Sequence, residues 1–235
     1  MIRTKEIILL TSIFILTISL VKISDWTNEV VIFDGLSSMI NKQIVYQSIT
    51  LLVTINFLFV LRLVKRSKFQ TYFRKGDISA DILPESLVGI NPKPTENWLH
   101  LGRNFTIIIS GVTAIVIYFQ LISQSGISVE TLFSVLPVSI LFSLVNSFVE
   151  ECITRLGVVV VLKDIFKDRT IMILSAFIFG TVHYWGNPGG FLGVLVAGFL
   201  GWFLTKSILE TKGFFWAWLI HFFQDIIIFS ALLSM

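Results

Sequence analysis

The chain has 235 residues, of which 54% are hydrophobic and only 14% charged, with a mean hydropathy of +0.85. Soluble domains carry roughly 25% charged residues, so a soluble fold is excluded and an all-α, polytopic transmembrane helix bundle is expected. The net charge of +3 is read as membrane orientation rather than as a nucleic-acid partner, and the single cysteine, Cys152, excludes an intramolecular disulfide or a Cys-x-x-Cys pair.

A spanning helix needs about 20 mostly apolar residues. The pattern predicts about seven: 6–22, 44–61, 104–122, a long one over 132–162, 170–186, 190–208 and 213–234. The first follows a basic end, as a signal peptide would. No small-x-small cleavage site appears in 23-ISDWTNEVVIFDG-35, so a retained span is expected. Of the 18 Lys and Arg, 15 fall on alternate sides of these spans, with Lys22 and Lys42 opposite them and Arg155 within a span. The positive-inside rule then gives a multi-pass protein of the cell membrane with a cytoplasmic N-terminus. The loop 62–103 carries 92-PKP-94 and reads as a flexible connector or a surface helix at the headgroups. The run 62-RLVKRSK-68 reads as a membrane-edge anchor. In the sixth span Gly193, Ala197 and Gly201 form a small-xxx-small ladder, read as a packing seam, and 187-NPGG-190 is the turn before it.

Charged side chains inside lipid cost about 2.5–3.5 kcal/mol on insertion scales and mark functional cavities. Six ionisable residues lie well inside the spans: Glu150, Glu151, Arg155, His183, His221 and Asp225. All are in the last half of the chain. Glu151 and Arg155 are i and i+4 and share a helix face. Glu150 is rotated about 100° from Glu151, so one carboxylate can pair with Arg155 while the other faces elsewhere. In 179-FGTVH-183 and 221-HFFQD-225 the same spacing sets Phe179 by His183 and His221 by Asp225. Spans four, five and seven each present a polar patch. Together they can supply a base for water, an acid for a leaving amine and a charge-stabilising group, the set that amide hydrolysis needs.

These three motifs, 150-EECITR-155, 179-FGTVH-183 and 221-HFFQD-225, resemble the E-E-x-x-x-R, F-x-x-x-H and H-x-x-x-N/D signatures of the Abi family. That family, also called CPBP, contains CAAX prenyl endopeptidases and bacteriocin-processing or immunity proteins. The likeness covers about residues 132–230. It divides the chain into N-terminal spans and loop, 1–131, and a catalytic transmembrane core, 132–235. The resemblance implies an intramembrane endopeptidase acting on a membrane-associated peptide or protein. Carried over, Glu150 is the general base, Glu151 with Arg155 shapes its field, and His183 orients the water. His221 and Asp225 stand across the scissile carbonyl, and Phe179 is a supporting wall. The prenyl-protease branch has Asn where this chain has Asp225, which weakens the prenyl-substrate reading.

Other readings of the same residues are a structural Glu151–Arg155 pair, packing histidines, and a Cys152 thiol nucleophile, for which packing is the better assignment. Zinc or another divalent metal on Glu150, His183 and His221 is the mechanistic rival to the favoured metal-free, glutamate-activated water; no H-E-x-x-H is present. A transporter would show broken helices or repeated halves, and neither is visible. A non-catalytic bacteriocin self-immunity or membrane binding protein built on the protease fold is the alternative function.

Overall fold

Backbone groups in lipid have no water to bond, so each apolar run must satisfy its own N–H and C=O groups as a helix. The computed structural model describes residues 4–123, 125, 127–186 and 189–235. Helix α1 spans Thr4–Thr27 and α2 Ser38–Val64, followed by the short α3, Arg66–Tyr72. Helix α4, Trp98–Ile117, runs into a wide π turn over Tyr118–Ile122. Helix α5, Val129–Glu151, passes through a second π turn, Cys152–Leu156, into α6, Gly157–Leu162. Helix α7 is Asp168–Val182, α8 Gly190–Thr211 and α9 Phe215–Leu233. Among the described residues there is no β-strand, only the isolated bridges Asp81–Asn97 and Glu85–Ile90. The bundle expected from composition is the one observed.

Among the described residues six helices are long and apolar enough to cross a membrane: Thr4–Thr27, Ser38–Val64, Trp98–Ile122, Val129–Leu162, Gly190–Thr211 and Phe215–Leu233. Most outrun the predicted spans because hydropathy marks only the lipid-facing stretch, while the helix continues until a cap stops it. Ser37, Asn97 and Ser128 provide such caps, accepting from Ile40 N, Leu99 N and Thr131 N. The span expected over 170–186 differs. Helix α7 has 15 residues, about 23 Å long, short of the ~30 Å hydrocarbon core. It tightens into a 3₁₀ turn at His183–Trp185, and it packs along α8.

Close approach of α7 and α8 rests on glycine. A Cβ on Gly180 would come 2.8 Å from the Val194 carbonyl oxygen and 3.0 Å from Gly198 Cα. A Cβ on Gly201 would meet Ala176 Cα at 3.1 Å. The seam therefore exists, but its members are Gly180, Gly198 and Gly201. Gly193 and Ala197 of the expected ladder instead line the central cavity, because positions four apart drift by about 40° around a 3.6-residue helix. Of the expected turn 187–190, Asn187 and Pro188 lie outside the described residues.

The loop after α3 is not a loose connector. Phe214 N–H donates to Arg74 O, Asp77 N–H to Thr211 O, and Trp216 Nε1–H to Ile78 O, at 2.7, 2.8 and 3.0 Å. Gly76, at φ +77°, lies against Gly213 so closely that a Cβ on either would overlap the other's backbone. Lys206 is buried, pairs with Glu210 and donates to Leu83 O at 2.6 Å, while Glu210 accepts from Trp98 Nε1 at 2.8 Å. Further ion pairs join Lys65 to Glu6 and Lys68 to Asp164, each at 2.7 Å. These contacts gather the start of α1, the 62–103 loop, the α6–α7 turn and the α8–α9 turn at one face.

Candidate active site

The long helix Val129–Leu162 widens to a π turn immediately after Glu151, a local distortion that is frequent at functional sites. Glu151 and Arg155 are fully buried and pair at 3.0 Å, as their spacing predicts. Arg155 Nη1 also donates to Thr154 Oγ1 at 2.9 Å. Its Nε and Nη2 have no hydrogen-bond partner among the described residues. The Phe179 ring covers the guanidinium face instead, 3.3 Å from Cζ to the ring centroid, a cation–π contact strengthened by desolvation.

Helix α9 brings His221 between the two glutamates. Its Nδ1 lies 2.8 Å from Glu151 Oε1, and a carboxylate oxygen there accepts the Nδ1 hydrogen. Its Nε2 faces Glu150 Oε2 at 3.7 Å and Asp225 Oδ1 at 3.5 Å. The carboxylates that diverge on α5 thus meet opposite edges of one imidazole. Phe179 packs edge-on to His221, with ring centroids 5.7 Å apart, and tilts against His183 at 4.0 Å. Phe179 also lines the cavity.

His183 closes α7. Its Nδ1 lies 2.8 Å from Phe179 O; a carbonyl can only accept, so the hydrogen sits on Nδ1 and a neutral ring keeps Nε2 as its acceptor. Glu150, Phe179, His183, His221 and Asp225 line one cavity of about 260 Å³. Glu150, Phe179 and His183 also line a second cavity of about 150 Å³ beside α1. The structure therefore brings together all seven residues singled out in the sequence, with Glu151 and Arg155 buried behind the cavity wall. Cys152 is fully buried and lines neither cavity.

Several polar residues in the site carried no signal of their own. Asn146, one turn before Glu150, donates from Nδ2 to Glu150 Oε1 at 3.1 Å and to Asp225 Oδ2 at 3.0 Å. Gln47 of α2 donates to Asn146 Oδ1 at 3.4 Å and to Gln43 Oε1 at 3.1 Å. Tyr46 lines both cavities. A polar residue four positions before a buried carboxylate is the only sequence hint, and amides are common enough in membrane helices to pass unmarked.

Residues 131–227 match the family described as type II CAAX prenyl endopeptidase Rce1-like. This region is similar to that family. It contains all three motifs, and it supports an intramembrane CAAX-type protease fold for the segment from α5 to α9. No curated protein and no solved structure matches the chain.

The residues of the metal alternative, Glu150, His183 and His221, come from α5, the end of α7 and α9. Both ring nitrogens of His221 face carboxylates, at 2.8, 3.5 and 3.7 Å. Among the described residues no three His, Cys, Asp or Glu side chains converge as a metal-binding group.

Proposed function

We propose that the protein is an intramembrane endopeptidase that hydrolyses a peptide bond of a membrane-associated peptide or protein with a glutamate-activated water. The observation that carries this reading is the convergence of Glu150, His183, His221 and Asp225 on one cavity inside a membrane bundle. The Rce1-like match over the same helices supports it.

In this reading Glu150 removes a proton from water while His183 Nε2 accepts the second hydrogen bond and aims the oxygen. Attack on the scissile carbonyl builds negative charge on its oxygen, which needs a donor already in place. His221, protonated and held through Nδ1 by Glu151, offers its Nε2 hydrogen. The long approaches to Glu150 and Asp225, at 3.7 and 3.5 Å, leave that hydrogen available to a substrate oxygen placed in its path. Asp225 keeps the ring oriented, and Arg155 fixes Glu151. Glu150 then passes its proton to the leaving amine, closing the cycle. The basic face of the bundle and the N-terminus are placed in the cytoplasm by the positive-inside rule. Residues 132–235 form the catalytic core, and the N-terminal spans supply part of the cavity wall.

The test compares membrane-associated and secreted peptides by mass spectrometry in cells expressing wild type or Glu150→Gln at equal levels. New peptide termini that need Glu150 are expected, and they identify the substrate. Identical peptidomes, with any host phenotype preserved in the variant, would overturn the reading in favour of a binding or immunity factor.

A further inference from the structure

An asparagine side chain offers two hydrogens on one planar nitrogen, about 120° apart, and an acceptor oxygen on the other side. Asn146 is buried, and both hydrogens are committed: one to Glu150 Oε1, 3.1 Å away, the other to Asp225 Oδ2, 3.0 Å away. The opposite oxygens of those carboxylates face His221 Nε2, at 3.7 and 3.5 Å. Asn146 and His221 therefore occupy opposite corners of a closed ring, with the two carboxylates between them. The reversed amide would set its oxygen against two carboxylate oxygens. Gln47 prevents this by donating to Asn146 Oδ1 from α2, itself braced on Gln43.

From this geometry we infer that Asn146 is a positioning residue, which spaces and orients Glu150 and Asp225 from a single amide so that each keeps one oxygen for the cavity. The charge pattern requires such a group. Three carboxylates surround His221, and among the described residues the Arg155 guanidinium reaches only Glu151 within ion-pair distance. Glu150 and Asp225 would otherwise be free to swing, because the repulsion between buried carboxylates is only weakly screened. A neutral donor holds both without adding a charge that would compete for the proton Glu150 handles. It also makes α2, outside the Rce1-like region, part of the site, since the amide's orientation depends on Gln47. The inference deepens the endopeptidase reading and rests on it for the catalytic consequence, but not for the hydrogen bonds themselves.

The experiment uses the purified full chain in lipid nanodiscs and infrared spectroscopy of its carboxylates. Bands of Glu150 and Asp225 are assigned by their loss in Glu150→Gln and Asp225→Asn. Asn146→Asp keeps the side chain's shape and removes both donors; Asn146→Ala serves if the aspartate variant does not fold. Either is expected to move both assigned bands and to lower the yield of Glu150-dependent peptide termini in cells by about 10- to 100-fold, the range for lost orienting partners. Glu151 bands should stay in place, which a general loosening of the bundle would not allow. Unmoved Glu150 and Asp225 bands overturn the inference, and so do moved bands with undiminished cleavage. If wild type yields no Glu150-dependent termini, the endopeptidase reading fails, and the infrared result still decides whether Asn146 holds the pair.

Discussion

Two buried ion pairs in this bundle share the same i, i+4 spacing: Glu151–Arg155 and Lys206–Glu210. Around Lys206 and Glu210 nearly every polar atom finds a partner, from Leu83 O and N and from Trp98 Nε1, all in or next to the docked loop. The pair is a staple. Around Glu151 and Arg155 the atoms are left in part without hydrogen bonds, an aromatic ring covers the guanidinium, and His221 leans on the carboxylate from another helix. That pair is a support buried behind the cavity wall. Spacing along a helix makes a pair; what the neighbouring helices bring to it decides its use.

Arg155→Met breaks this contrast hardest. It leaves Glu151 buried without its cation, and removal of one partner from a buried pair costs about 3–5 kcal/mol. Thermal unfolding in nanodiscs should show that loss, and Glu150-dependent cleavage should vanish with it. A wild-type melting curve would remove the pair from the architecture.

Lys206→Met should cost less, about 1–3 kcal/mol, since Glu210 keeps donors from Leu83 and Trp98. Hydrogen exchange should quicken across 77–98 while the folded protein still cleaves. Loss of cleavage at unchanged exchange would show that the staple reaches the site. A comparable penalty of about 1–3 kcal/mol is expected for Gly180→Ala, from overpacking the α7–α8 seam. The smallest effect belongs to Cys152→Ala, about 1 kcal/mol, with cleavage at the wild-type level. Inactivity of the folded alanine variant would restore the thiol as a nucleophile.

Much of the site was legible before folding because its signals are local. Hydropathy located the spans, an i, i+4 spacing paired Glu151 with Arg155, and Phe179 was placed beside His183. The deep charges flagged themselves by their cost in lipid. Asn146, Gln43 and Gln47 did not, because an uncharged amide in a membrane helix has many uses and its partner is set by another helix. The loop 73–97 was also misjudged. Its polar composition resembles that of any connector, and only Gly76 against Gly213 and the buried Lys206 reveal that it is docked.

By itself, then, the sequence determined that this chain is a membrane-spanning helical bundle, where its carboxylates and imidazoles interrupt that bundle, and which of them share a helix face. Those properties depend on residues within one or two turns of each other. The tertiary structure alone decided that His221 sits between Glu150 and Glu151, that α7 stops short, and that α2 reaches into the Rce1-like region. The decisive hydrogen bonds join residues 79 and 99 positions apart, and their partners are fixed by how side-chain volumes let helices approach, which no periodicity along a single helix encodes.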